Sequence, residues 1–249
     1  MTPNMPPDTP STHRLMAAID ATWPPAEYLE VGPWLLRRGD GGGQRVSAAS
    51  TTDQSADFAL AEQGMRAWGQ APLFRLTPDQ TLLDARLAEA GYAVKDPVAL
   101  YAAPVASLAD GSDETVQVFR VTSPLAMVDE IWKRGGIGPG RRAVMTRAPG
   151  PRMILMTRAG DRPVGVAFVA IAKIDGCGIA MIHAIEVAPE HRRKGGGGLL
   201  IRGAASFAAE QDAAWLALAV TEANAPARAL YERLGIARAG SYHYRVASG

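Results

Sequence analysis

Apolar positions along the chain recur in two periods. Over residues 12–23, Leu15, Met16 and Ile19 share one side of a 3.6-residue repeat, and Pro24-Pro25 ends the run, which predicts a helix. Trp34-Leu35-Leu36 and residues 45–49 read as strands joined through Gly39-Asp40-Gly41-Gly42-Gly43, a turn because no helical repeat follows it. A helix over about 56–69, a strand at 73–76 and a helix from Pro78 to about Ala90, with Gly91 as its cap, complete the first half. In the second half, 116–121 reads as a strand, and Ser123-Pro124 opens a helix through Met127, Ile131 and Trp132. A glycine-rich break at 135–140 and a short helix near 141–146 follow. Strands at 153–158, 164–172 and 179–187 then form an antiparallel meander with turns at Gly160-Asp161 and Asp175-Gly176.

The pattern then changes. Residues 182–187 read as a buried strand, and Leu200, Ala204, Phe207 and Ala208 are spaced for one helix face. Between them stands Arg192-Arg193-Lys194-Gly195-Gly196-Gly197-Gly198. A strand that turns through glycines into a helix leaves backbone N–H groups without intrahelical partners. The helix dipole and three cations make that end attractive to phosphate, and glycine lets an anion approach the backbone. The segment reads as a diphosphate site, against the alternative of a solvated glycine-rich loop. It lacks Gly-Lys-Ser/Thr, so it is no P-loop, and Leu200 replaces the third glycine of a dinucleotide fingerprint. Beyond it, 216–220 is a strand, and Asn224 and Pro226 open a last helix whose Ala227, Leu230, Tyr231 and Leu234 share a face before Gly235. An internal echo links residues 73–92 and 215–236: both read strand, helix, glycine, and superposing Gly91 on Gly235 sets Leu87 where Tyr231 stands.

Composition narrows the function. The 249 residues can form one large domain or two small ones, and a formal net charge of +1 gives no general attraction to nucleic acid or anionic membrane. One cysteine, Cys177, excludes an internal disulfide and reads as a core or turn residue. With four scattered histidines, no metal site is expected. The polar, proline-rich N-terminus has no signal-peptide layout and no apolar run is long enough to span a bilayer, so a cytoplasmic protein is expected.

Arg192-x-x-Gly195-x-Gly197, between Val187-Ala188-Pro189 and Leu199-Leu200, resembles the pyrophosphate motif of the GNAT-type N-acetyltransferases. Asn224 followed by Arg228-Ala229-Leu230-Tyr231-Glu232-Arg233-Leu234-Gly235-Ile236 resembles the second motif of that family. The resemblance implies an α/β (α+β) GNAT fold: a mixed, mostly antiparallel twisted sheet flanked by helices. The catalytic domain would span 115–246, preceded by a smaller degenerate GNAT-like lobe at 12–104 and a disordered N-terminus at 1–11. The implied activity is transfer of acetyl from acetyl-CoA to a primary amine by direct attack in a ternary complex. The alternative is a CoA-binding sensor or interaction module without turnover. The acceptor would be a small molecule or a peptide, with no nucleic acid or membrane partner, and the protein a monomer or homodimer.

The resemblance also implies site residues. Cofactor contacts fall on Ile185 and Val187 of the strand, on Arg192, Arg193, Lys194, Gly195, Gly196, Gly197 and Gly198, and on Asn224 and Tyr231. The pantetheine arm would pair with the strand edge, the sheet would splay there, and the Val187 N–H would stabilise the oxyanion. Tyr231 is the implied general acid. For the general base there are His183, Glu186 or water: His183 shares a sheet face with Val187 by strand parity, and Glu186 has the opposite parity unless a bulge re-aims it. The helical region over the acceptor offers Trp132, Arg141 and Arg142, which suits an anionic acceptor or simple packing equally.

Overall fold

The computed structural model describes residues 9–109, 118–122 and 125–247. Its first helix, α1 (Thr12–Thr22), starts where the Ser11 hydroxyl accepts from the Arg14 amide at 3.3 Å, and it buries Leu15, Ala18 and Ile19 completely. Most of the N-terminus expected to be disordered lies outside the described residues. β1 (Glu27–Val31) and β2 (Trp34–Arg38) pair as a hairpin. β1 escapes the sequence pattern because four of its five residues are exposed and nothing alternates. The expected strand at 45–49 is instead a 3-10 turn (Gln44–Val46). Gly43 at φ +92° turns the chain and the Ser47 hydroxyl donates to the Gly43 carbonyl at 3.0 Å, leaving only Ala49 to bridge to Phe74.

α2 (Phe58–Ala67), β3 (Leu73–Leu76), α3 (Thr81–Glu89), β4 (Tyr92–Pro104) and α4 (Val105–Ala109) follow. α3 starts three residues after Pro78, because the Gln80 side chain first closes a turn by accepting from the Thr77 amide at 2.9 Å. The connection expected at 104–114 is α4 up to residue 109 and otherwise lies outside the described residues, as does the proposed Ser123 cap. The second half runs β5 (Val118–Val121), α5 (Ala126–Arg134), α6 (Pro139–Arg147), β6 (Arg152–Ala159), β7 (Arg162–Ile174), β8 (Cys177–Val187), α7 (Gly196–Glu210), β9 (Trp215–Thr221), α8 (Ala225–Arg233) and β10 (Ala237–Ala247).

One mixed sheet holds all strands but the β1–β2 hairpin, in the order β3-β10-β4-β9-β8-β7-β6-β5. Among the described residues only β8 and β9 are parallel neighbours within it; the other strand pairs are antiparallel. The units β3–α3–β4 and β9–α8–β10 are therefore interleaved: the second strand of each lies between the two strands of the other. Gly91 and Gly235 end the two helices at φ +85° and +76°, which a side chain would resist. The strand order threads β3 and β4 of the segment 12–104 into the same sheet as β5 to β10.

Both faces of the sheet are covered. Ala180, Ile182, Leu216 and Leu218 pack under Leu200, Ile201 and Ala204 of α7. On the opposite face, Met181, Ala217 and Tyr242 meet Leu15 and Ile19 of α1. A further cluster joins Trp23 at the end of α1 to Val128 and Trp132 of α5 and Val144 of α6. The segment 39–43 is a turn, as expected, with the Gly42 amide donating to the Gly39 carbonyl at 2.8 Å. It also lies backbone to backbone against α6, since a Cβ on Gly140 would stand 2.3 Å from the Gly41 carbonyl oxygen.

Candidate active site

The site begins where β8 leaves β9. The two pair only over residues 179–181 and 215–217, and beyond that a gap opens between them. On its other side β8 carries a bulge: Val166 pairs with Glu186 but Phe168 with His183, so β8 holds one residue too many. Ala184 takes φ +50° there, a costly conformation for a residue with a Cβ. Trp132, fully buried, holds it by donating its indole N–H to the Ala184 carbonyl at 2.9 Å.

The extra residue switches the strand's faces. His183 packs on Trp23 and Phe168, with ring centroids at 4.9 and 6.4 Å, and Glu186 lies over Gly135, the cap of α5, on that same face. Ile185 and Val187 turn instead to the α7 cluster. The shared face expected for His183 and Val187 is thus corrected: His183 shares it with Glu186. The Ala188 amide donates to the Val164 carbonyl at 2.8 Å. Successive amides along a strand point to opposite edges, so the Val187 N–H points into the gap.

At one end of the gap lies the N-terminus of α7. Gly195 caps it at φ +86°, and no side chain accepts from its first amides. These N–H groups and the positive end of the dipole remain available to an anion. Arg193 and Lys194 are exposed beside it, and no carboxylate among the described residues pairs with either. Arg192 is placed differently. It folds back onto β8, donating to the Val187 carbonyl at 3.0 Å and pairing with Glu186 at 2.9 Å.

At the other end is a cavity of about 310 Å³. Ile182, His183, Ala184 and Ile185 of β8 face Leu218, Thr221, Asn224 and Tyr231 across it. Asn224 caps α8, accepting from the Ala227 amide at 3.2 Å, and borders the cavity at the same time. Tyr231 is buried with its ring 5.6 Å from that of Tyr101. Burial, and after it the neighbouring Tyr101, pushes its hydroxyl up to about 12, so it keeps its proton at neutral pH.

His183 is buried with both ring nitrogens engaged. The Thr22 hydroxyl spends its proton on the Ala18 carbonyl at 2.6 Å and so accepts from His183 Nε2 at 2.9 Å. Nδ1, left as the acceptor, faces Arg45 Nη1 at 3.3 Å. Burial, and then the Arg45 charge, holds this imidazole well below 6.5 and therefore neutral. Glu186 is tied to Arg192 and does not border the cavity.

Sequence reasoning missed much of the cavity's far wall: Trp23, Arg45, Asp96, Tyr242 and Tyr244 all line it. Of the three residues weighed for the acceptor side, Arg141 lines the cavity, Trp132 holds the bulge, and Arg142 pairs with Asp129. Asp96 stands before Pro97 at φ +44°, a break within β4 that the structure shows.

Residues 124–236 match the Acetyltransferase (GNAT) family. Over 238 residues the chain is 28% identical to YobR of Bacillus subtilis (strain 168), an uncharacterised N-acetyltransferase, covering 91% of this chain and 94% of that one. A stretch of 59 residues is 54% identical to streptothricin acetyltransferase of Streptomyces lavendulae, covering 24% of this chain and 31% of that protein. A GCN5-related N-acetyltransferase from Kribbella flavida has the same fold, with a TM-score of 0.67 at 19% identity and 95% of each chain covered. The parted parallel strands, the uncapped glycine helix and the family match agree: residues 124–236 carry a domain that matches the GNAT acetyltransferases, on a fold the chain shares with them.

Proposed function

We propose that the protein transfers the acetyl group of acetyl-CoA to a primary amine by direct attack within a ternary complex. One observation carries this reading: the gap between β8 and β9 runs from the uncapped start of α7 to a cavity lined by Tyr231. The amides of Gly195, Gly196, Gly197 and Gly198, with Arg193 and Lys194, would take the diphosphate. Arg192 serves by fixing the end of β8, and Ile185 and Val187 would pair with the pantetheine arm along the free strand edge. Asn224 would border that arm while capping α8. A degenerate GNAT-like lobe at 12–104 and a cytoplasmic location complete the reading.

The chemistry asks for three things. An alkyl amine with a pKa near about 10.4 is neutral in only about one molecule in 10³ at neutral pH, so its proton must leave. The thioester oxygen becomes negative on attack, and the Val187 N–H in the gap is placed to meet it. The departing thiolate needs a proton, and Tyr231, held protonated by its burial, is the general acid. For the base, neutral His183 has its one acceptor nitrogen facing Arg45, and Glu186 is paired with Arg192. Proton removal through cavity water is the assignment we favour, with His183 and Glu186 acting on the geometry of β8.

Calorimetric titration with acetyl-CoA, followed by a free-thiol assay against a panel of amines, tests the reading. Micromolar binding with amine-dependent thiol release supports it. Binding without release under any amine would make the protein a CoA-responsive module, and absence of binding would overturn both.

A further inference from the structure

The interior beside the cavity holds more positive charge than it can pair. Asp20 of α1 accepts from Arg37 Nη2 at 2.7 Å and from Arg75 Nη1 and Nη2 at 2.9 Å each, so both its oxygens are in use. Arg37 is further satisfied by the Ala48 carbonyl at 3.0 Å and the Ser50 hydroxyl at 2.9 Å. Arg45 has no such partners. No carboxylate among the described residues lies within ion-pairing reach of it, its Nε is buried without a hydrogen bond, and its close polar neighbours are the neutral His183 and the hydroxyls of Tyr242 and Tyr244. Arg37 and Arg75 thus share one carboxylate, and Arg45, which has none, borders the cavity.

A buried charge without a counter-ion is costly, and removing one partner of such a pair strands the other. Around Arg45 stand the hydroxyls of Tyr242 and Tyr244, both residues almost wholly buried. The Tyr242 hydroxyl is itself without a partner of full hydrogen-bond geometry. At the rim, the Arg141 guanidinium rests over Gly43, where a Cβ would come within 3.3 Å of its Nε. Among the described residues Asp96 is the only acidic one that lines the cavity, and it is exposed at the rim. The cavity therefore offers donors and a cation inside and one carboxylate outside.

We propose that the acceptor amine carries a carboxylate, held inside the cavity by Arg45 with Tyr242 and Tyr244, while Arg141 and Asp96 at the rim sort incoming zwitterions. This rests on the reading of the cavity as the acceptor side of an acetyl-CoA-dependent enzyme. One enclosed guanidinium matches one negative charge, and its planar fork suits a carboxylate. A polyamine or aminoglycoside would meet Arg45 as a like charge. The volume fits an amino acid or a similarly small amino carboxylate.

The test uses product analogues, so that no acceptor has to be guessed. N-acetyl amino acids with small, branched, acidic and basic side chains, each paired with its carboxamide, are titrated calorimetrically into the full chain saturated with CoA. At least one acid is expected to bind about 10-fold or more tightly than its amide, and Arg45→Gln to erase the difference with CoA affinity unchanged. In the absence of ligand, Arg45→Gln is expected to raise the melting temperature, because it removes an uncompensated buried charge. Acids that bind no better than their amides, or not at all, overturn the inference while CoA binding keeps the underlying reading intact. Loss of CoA binding by the wild type overturns that reading itself. A fall in melting temperature for Arg45→Gln without any acid–amide difference would make Arg45 a structural pin and also overturn the inference.

Discussion

Two helices in this molecule start after comparable stretches of chain and end up with opposite chemistry. α2 follows the short bridge of Ala49 to β3, and α7 follows β8, the parallel neighbour of β9. α2 closes on itself: the Asp57 carboxylate accepts from the Ala59 amide at 2.9 Å and supplies the negative charge that the dipole favours. α7 is left open, with glycine for a cap, no side-chain acceptor and two unpaired cations beside it. The same contrast continues at the two echoing helices, where buried Leu87 seals α3 into an apolar cluster and Tyr231 brings a hydroxyl to the cavity from α8. A helix end or a helix face becomes a site by what its sequence withholds as much as by what it supplies.

The largest expected effect comes from making α7 resemble α2. Gly197→Glu sets a carboxylate among the free amides, and its Cβ would stand 3.0 Å from Leu230 Cδ2. Acetyl-CoA affinity should fall by about 10³-fold or more in calorimetry, since a fixed anion replaces the ligand and repels it. Unchanged affinity would place the diphosphate elsewhere. Moving α8 toward α3 should cost less: Tyr231→Phe is expected to lower kcat about 10²-fold while acetyl-CoA affinity holds. An unaltered kcat would leave Tyr231 as a packing residue.

Next comes acidification. His183 is held neutral in the fold, so the native state resists the proton that the unfolded chain takes up below about 6.5. Stability attributable to it is present above that pH and is lost as pH falls, with a slope approaching one proton taken up on unfolding. Denaturant titrations of the wild type and His183→Gln at stepped pH should show a shallower acid decline in the variant; parallel declines would refute the burial argument. The smallest effect is expected from uncapping α2. Asp57→Ala should cost about 1 kcal/mol in urea unfolding and should not alter acetyl-CoA affinity, because the first turn of α2 has no glycines or cations to receive it.

What could be read from the sequence was what lies close along the chain. Arg192 to Gly198 and Asn224 to Gly235 are contiguous, so turn, cap and helix face can be inferred from spacing alone. The face assignment of His183 failed because one residue, Ala184, adopts a conformation its side chain disfavours, and the group that holds it there, Trp132, is 52 positions away. Arg45, Asp96, Tyr242 and Tyr244 could not be assembled at all. They come from a 3-10 turn, from β4 and from β10, and only the interleaved strand order sets them around one space. β4 and β10 were themselves hidden, because exposed residues at 93–97 and half-buried ones at 239–241 break the two-residue alternation.

That strand order also governs how the polypeptide can mature. β4 must find β9 on one side and β10 on the other, partners that begin more than a hundred residues later. During synthesis the first hundred residues leave the ribosome with a long strand whose two edges have nothing to pair with, an invitation to self-association until the C-terminus is made. Closure of the sheet is accordingly a late, non-local and slow event. A chain terminated before β10 would forfeit both the strand that joins β3 to β4 in the sheet and the tyrosines that line its cavity.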